Sequence, residues 1–320
     1  MLDLAAIRDA RARVSNRIHT TPTLSSRRLG ERAGVRLVLK CENLQKTGSF
    51  KVRGALNKLA SLSDAERARG VVTVSAGNHA QAMAWAANSA GVHAVVVMPK
   101  TASPAKVEAS RGYGAEVVLH GASGNESFPH ALELARDRGL TFVHPFDDER
   151  ICAGAGTTGL ELLEQAGELD VVVVPIGGGG LISGVAVAIK ESNPRIRVYG
   201  VEPTGAASTR LSLDSGRAMR LSTMNTIADG LAAPMTGELN YEIVKRYVDD
   251  VVVIDDDVIA EGVRQLLTSA KLLAEPAGAA GVGALLAGAI PVRKGERVAA
   301  VVSGGNVDAA KLATILAGPS

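Results

Sequence analysis

Short runs of apolar, mostly β-branched residues recur along the chain: VRLVLK (35–40), VVTVS (71–75), AVVVM (94–98), EVVL (116–119), VVVVP (171–175), RVYGVE (197–202), VVVID (251–255) and VAAVV (298–302). Runs that are apolar at successive positions mark strands covered on both faces, as in parallel sheets. Between them the apolar residues shift to helical spacing, as in HAQAMAWAANSAG after residue 78 and ASPAKVEASRGYG before residue 115. Strand alternating with helix predicts an α/β fold built on open, twisted, mostly parallel sheets. The first residues, MLDLAAIRDARARVSNRI, predict an amphipathic helix, with charges spread throughout and no apolar centre of the kind a signal peptide needs. The chain has no run of 18 apolar residues, so no membrane-spanning helix is expected.

Length adds a domain count. At roughly 100–200 residues per domain, 320 residues predict about two domains. No internal repeat or low-complexity tether separates them, so the second is expected to be inserted into the first or to follow it directly. Hydrophobic residues make up 46% and charged residues 21% of the chain, ordinary values for a soluble globular protein. Aromatics are only 3%, so the cores must be packed with Ala, Val, Leu and Ile. A net charge of +2 gives no electrostatic case for a nucleic-acid or membrane partner. Cys41 and Cys152 lie far apart without a CxxC pattern and read as reduced, packed residues of a cytoplasmic protein.

Chemistry concentrates in glycine-rich turns. SAGNHA (75–80), GGGG (177–180) and SGGN (303–306) each follow a predicted strand, where open parallel sheets collect their ligands. In VVVVPIGGGGLISGVAVAIK, Gly177, Gly178, Gly179 and Gly180 join a strand to a helix. Without side chains, several backbone N–H groups can converge on one anion at the helix start, which predicts a phosphate cradle. The Walker pattern is absent. GAGTTG (154–159) matches GxGxxG but lacks a preceding buried strand and the distal acid, so it is assigned to packing or to a loop near the crevice rather than to a dinucleotide.

Lys51, in TGSFKVRGA (47–55), opens a predicted helix that partly faces a core. A helix start favours anions, so this lysine is either solvated or kept neutral by chemistry. A small phosphorylated cofactor, a reactive lysine and polar turns at strand ends together point to pyridoxal 5'-phosphate. KTGSFKVRGA, SAGNHAQ (75–81), GGGGL (177–181), TIADGLA (226–232), EPAGAA (275–280) and SGGN, in this order, closely resemble the fold-type II pyridoxal-phosphate enzymes, specifically the threonine dehydratase and serine racemase group.

The resemblance covers nearly the whole chain and implies two tryptophan-synthase-beta-like domains with the cofactor between them. Residues 1–45 plus 148–320 would form the large domain and 46–147 a small inserted one, with no C-terminal regulatory domain. It implies Lys51 as the Schiff-base lysine, Phe50 packed beside the cofactor ring and Asn78 as donor to the ring's phenolic oxygen. Gly177 to Gly180 with Leu181 match the phosphate cradle, and Ser303 the partner of the pyridine nitrogen. Ser49 and the turn Ser75, Ala76, Gly77, Asn78 and His79 match the substrate-binding segment. Glu202, in VEPTGAAS (201–208), matches a ligand for a divalent or monovalent cation, although Ser208 stands where the family has an aspartate. The implied reaction is dehydration of threonine or serine to a 2-oxo acid and ammonia. Serine racemase and 3-hydroxyaspartate ammonia-lyase are the nearest alternatives, and a cofactor-binding regulator without turnover is the alternative of another class. Ala76 replaces a second serine of racemases, and Phe128 falls where racemases acting on dicarboxylates carry arginine, so a neutral hydroxy amino acid is favoured. Lys46 and Thr47 match positions implicated in nucleotide activation of some relatives. The family implies a homodimer or homotetramer. Glu275 and Asp308 are expected as helix caps or solvated charges, and His19, His93, His120, His130 and His144 as loop or surface residues.

Overall fold

In the computed structural model, which describes residues 2–318, all eight apolar runs become strands. They are β2 (Arg36–Cys41), β3 (Val71–Val74), β4 (Ala94–Met98), β5 (Glu116–Leu119), β7 (Val171–Pro175), β8 (Arg197–Pro203), β9 (Asp250–Ile254) and β10 (Arg297–Val302). Two shorter strands, β1 (Thr23–Ser25) and β6 (Thr141–Phe142), have no counterpart in the apolar pattern. The helices are α1 (Leu4–Val14), α2 (Arg27–Ala33), α3 (Lys51–Ala60), α4 (Asp64–Arg69), α5 (Asn78–Ser89), α6 (Pro104–Gly112) and α7 (Gly124–Asp137). They continue as α8 (Glu149–Ala166), α9 (Gly180–Ser192), α10 (Ser208–Ser215), α11 (Glu238–Tyr247), α12 (Asp256–Gln265), α13 (Pro276–Leu286) and α14 (Ala309–Ala317).

The strands form two sheets. One has the order β5-β4-β3-β6, parallel throughout. The other has the order β1-β2-β10-β7-β8-β9 and is parallel except for β1, which runs against β2 with Leu24 opposite Leu39. Thus β2, near the start of the sequence, pairs with β10, near its end, with Leu37 beside Val298. The segment between β2 and β7 carries β3, β4, β5 and β6, the four strands of the other sheet. The central strands are as apolar as the pattern requires: Val171, Val172, Val173 and Val174 are all fully buried.

The glycines of GAGTTG lie inside α8. A Cβ on Gly154 would stand 2.4 Å from the Arg53 carbonyl oxygen of α3, and one on Gly156 2.8 Å from the Gly184 carbonyl oxygen of α9. These glycines therefore let three helices cross at backbone contact, the packing role rather than the crevice loop of the two read from sequence. A buried ionic cluster lies near the α3–α8 crossing. Fully buried Arg53 donates to Glu42 through Nε (2.7 Å) and to Glu161 through both terminal nitrogens (2.6 and 2.8 Å). Lys40 donates to Glu161 as well (2.6 Å). Two cations and two anions balance, and the guanidinium donors are matched by carboxylate oxygens, as burial of charge demands.

Candidate active site

Three polar turns meet at the carboxyl ends of β3, β7 and β10, as the strand–turn–helix pattern predicts. Their meeting point is the start of α3. The Phe50 N–H donates to the Ser303 carbonyl (3.1 Å), and Ser49 bridges Gly304. Lys51 follows at the first helical position. Its Nζ donates to the Pro145 carbonyl (2.9 Å) and lies 5.3 Å from the centroid of the Phe50 ring. Burial lowers this ammonium to about 8, against smaller opposing contributions from Cys152 and Glu275. An amine of this kind is readily made neutral and nucleophilic.

Asn78 opens α5 after the Ser75–Gly77 turn, in which the Gly77 N–H donates to the Ser75 hydroxyl (3.1 Å). Its amide is held at both ends. Nδ2 donates to Glu275 Oε1 (2.6 Å), and Oδ1 accepts from Asn306 Nδ2 (2.8 Å). Glu275 is thus neither a solvated charge nor a side-chain helix cap. It is buried between Asn78 and Gly304, and burial raises it to about 7 despite the bond from Asn78. Ser303 is buried, and its hydroxyl makes only a long, 3.5 Å, bond to the Ala277 carbonyl.

His79 is locked into one tautomer. Thr73 spends its hydroxyl proton on the Val143 carbonyl (2.7 Å), so His79 Nε2 must donate to Thr73 Oγ1 (3.0 Å). The other nitrogen, Nδ1, is then a buried acceptor without a partner among the described residues, and burial holds the ring well below the usual histidine range. His144 lies in the loop between β6 and α8, as expected, but not at the open surface. It is half-buried, and its Nδ1 accepts from the N–H groups of Phe146 (3.3 Å) and Asp147 (2.8 Å). Burial lowers its titration too, leaving a neutral ring with its proton on Nε2.

The tetraglycine turn leads from β7 into α9. Among the described residues, no protein acceptor takes the N–H of Gly177, Gly178 or Gly179. Gly180 and Leu181 lie in the first turn of α9, where N–H groups have no intrahelical partner. A Cβ on Gly178 would fall 2.3 Å from the Phe146 ring, and Gly179 adopts φ +95°, so side chains are excluded here by contact and by backbone conformation. Phe146 and Pro145 connect this turn to Lys51. Asn240 of α11 completes the link, donating to the Gly178 and Phe146 carbonyls (2.9 and 3.0 Å). Its signal in the sequence is a polar residue on the apolar face of α11 with Ile243 and Val244, all three buried. His144 and Phe146 carry no such signal.

These groups fit pyridoxal phosphate. The unpartnered N–H groups at the start of α9 suit its dianion, the Lys51 amine its aldehyde and the Ser303 hydroxyl its ring nitrogen. The unpartnered Ser49 hydroxyl and His79 Nδ1 remain for a polar ligand. Glu202 makes its bonds elsewhere. Its two oxygens accept the N–H groups of Thr209 and Arg210, each at 2.8 Å, at the start of α10. Among the described residues no cluster of three His, Cys, Asp or Glu side chains is placed to hold a metal ion.

Comparison with known proteins agrees with this geometry. The family model described as "Pyridoxal-phosphate dependent enzyme" matches residues 14–304. An L-threonine ammonia-lyase of Thermotoga maritima is 48% identical over 308 residues, covering 96% of this chain and 76% of its own length. Among solved structures, maize serine racemase superposes with a TM-score of 0.94 at 40% identity, covering 98% of this chain and 96% of its own. A T.th. threonine deaminase gives 0.90 at 41% identity, covering 96% of this chain and 99% of its own.

Proposed function

The chain belongs to the family of pyridoxal-phosphate dependent enzymes, and we propose that within it the protein is an ammonia-lyase that eliminates water from L-threonine or L-serine, yielding a 2-oxo acid and ammonia. The observation that carries this reading is the amine of half-buried Lys51, lowered to about 8 and tied through Pro145 and Phe146 to the turn of unpartnered N–H groups. Bound there, pyridoxal phosphate supplies an aldehyde that condenses with amines and a ring that accepts the electron pair left when the substrate Cα–H bond breaks.

The protein's own residues do the rest. Lys51 Nζ removes the Cα proton, positioned general-base help of a kind worth about 10²–10⁴-fold. The Ser75–His79 turn orients the substrate carboxylate through backbone N–H groups. Ser303 offers the ring nitrogen a hydroxyl instead of a carboxylate, so electron withdrawal is weaker and loss of the β-hydroxyl competes better with slower reactions of the carbanion. Ala76 has no hydroxyl with which to return a proton from the opposite face, which favours lyase over racemase. Phe128, packed edge-on against Phe142 and His144 with centroids 5.4 and 5.6 Å apart, offers no cation to a second substrate carboxylate, in keeping with a neutral substrate side chain.

The reading includes a large domain of 1–45 plus 148–320 with a small one of 46–147 inserted, a homodimer or homotetramer, and a cytoplasmic location. Among the described residues no helix is long and apolar enough to cross a membrane. The test is 2-oxo acid release from a panel of L-threonine, L-serine and 3-hydroxyaspartate, with D-serine formation followed in parallel. Lys51→Ala should lose the visible imine band and 2-oxo acid release together. Native-rate release by folded Lys51→Ala would refute the assignment. An imine band in the wild type without product from any substrate would point to binding without turnover.

A further inference from the structure

Asn240 has no place in the chemistry above, yet its amide is fully committed. The side chain is completely buried. Nδ2 gives its two protons to the Gly178 carbonyl (2.9 Å) and the Phe146 carbonyl (3.0 Å), and Oδ1 accepts from the Cys152 thiol (3.1 Å). The two carbonyls can only accept, which leaves one orientation for the amide. Gly179 packs against it so closely that an added Cβ would lie 2.7 Å from the Asn240 Cβ. Asp147 anchors the start of α11, accepting from the N–H groups of Glu238 (3.1 Å) and Leu239 (3.2 Å).

The consequence lies in the peptide unit joining Gly178 to Gly179. In a planar trans peptide the C=O and N–H point in opposite directions. A donor behind the Gly178 carbonyl therefore turns the Gly179 N–H the other way, into the turn. The Gly237 N–H also reaches this carbonyl, but at a longer 3.3 Å. Without the Asn240 donor, a peptide flanked by glycines on both sides rotates at little steric cost, and the N–H is no longer held firmly toward the anion.

We propose that Asn240 is a positioning residue for the phosphate-binding turn, holding the Gly178 carbonyl so that the Gly179 N–H is aimed at the cofactor's phosphate. This rests on the reading of the site as a pyridoxal-phosphate site, and the two can fail separately. The experiment compares apoprotein affinity for pyridoxal phosphate with that for pyridoxal, which lacks the phosphate. Asn240→Asp keeps the shape and removes both donors. Its affinity for pyridoxal phosphate should fall about 10- to 100-fold, the range for a buried acceptor left unpaired, with affinity for pyridoxal unchanged. An equal loss for both ligands, or no loss for either, would overturn the positioning role. A wild type that binds pyridoxal as tightly as pyridoxal phosphate would overturn the phosphate cradle itself. If Asn240→Asp does not fold, the wild type decides. In ¹⁵N-glycine-labelled apoprotein titrated with inorganic phosphate, the Gly179 amide resonance should shift. Shifts at Gly177 and Gly178 with Gly179 unmoved would overturn the inference.

Discussion

At Glu275, burial and a single amide donor pull in opposite directions, and burial prevails, raising the carboxyl to about 7. The folded protein therefore binds this proton more tightly than the unfolded chain, whose glutamate titrates near 4.5. Between those two values the folded state loses stability as pH rises, by about 3 kcal/mol at most for this group. Glu202, also raised to about 7 by burial, adds a slope of the same sign. His79 and His144, lowered by burial, give the opposite slope up to about pH 6.5. The Glu275 share is therefore read as the difference between wild type and Glu275→Gln in apoprotein melting between pH 5 and pH 8, the variant keeping the share of Glu202. An unchanged pH slope in Glu275→Gln would mean that the carboxyl titrates normally. The convergence of Lys51, Asn78 and the SGGN turn was legible in the sequence because glycine turns after strands share one edge of a sheet. Glu275 was not legible as a buried group, since nothing local distinguishes it from an ordinary residue ahead of a helix. It is buried among groups distant in the chain, including its hydrogen-bond donor Asn78, 197 residues away.

Elements were most legible where burial on both faces leaves an unbroken apolar run. The eight expected strands match β2–β5 and β7–β10 to within a residue or so at their ends. Strands β1 and β6 were missed because three and two residues are too few to show any period, and their neighbours in the sheet define them. Helix crossings were legible only as unexplained glycines. A Cβ at Gly184 of α9 would stand 2.2 Å from the Cys152 carbonyl oxygen and 2.4 Å from the Gly156 nitrogen of α8, both backbone atoms that cannot swing aside. Gly184→Ala should therefore destabilise the protein by about 1–3 kcal/mol, although alanine is the better helix former. At Gly112, in α6, no atom lies within 4 Å of an added Cβ, and Gly112→Ala should be neutral or stabilising by up to about 1 kcal/mol. Chemical denaturation of the two variants separates crowding from propensity. Equal effects at both positions would remove the close-crossing argument.

Across the whole molecule, contacts between the two sheet units ring the site. Besides Asn78 with Glu275, Lys106 of α6 reaches across to Asp229 (3.5 Å), which Lys311 of α14 pairs from its own unit (2.9 Å), and Arg220 donates to Asn125 of α7 (2.8 Å). Asp229 is 61% exposed, so its ion pairs are worth under about 1 kcal/mol and are screened by salt. Asp229→Asn should leave global stability within that range and raise KM by no more than about fivefold. In the wild type, added salt should raise KM toward the variant's value. A fall in kcat at constant KM would instead place Asp229 in the chemistry. The neighbours of each strand were not legible, because pairing of β2 with β10 joins distant parts of the chain. That pairing has a consequence for biosynthesis. Among the described strands, the one that wedges between β2 and β7 is synthesised last, so the larger sheet stays split until β10 has emerged. Residues 71–142 hold every strand of the smaller sheet and can assemble it while translation continues, whereas β2 and β7 wait as unpaired edges. Any need for chaperone protection during synthesis falls on those two waiting edges.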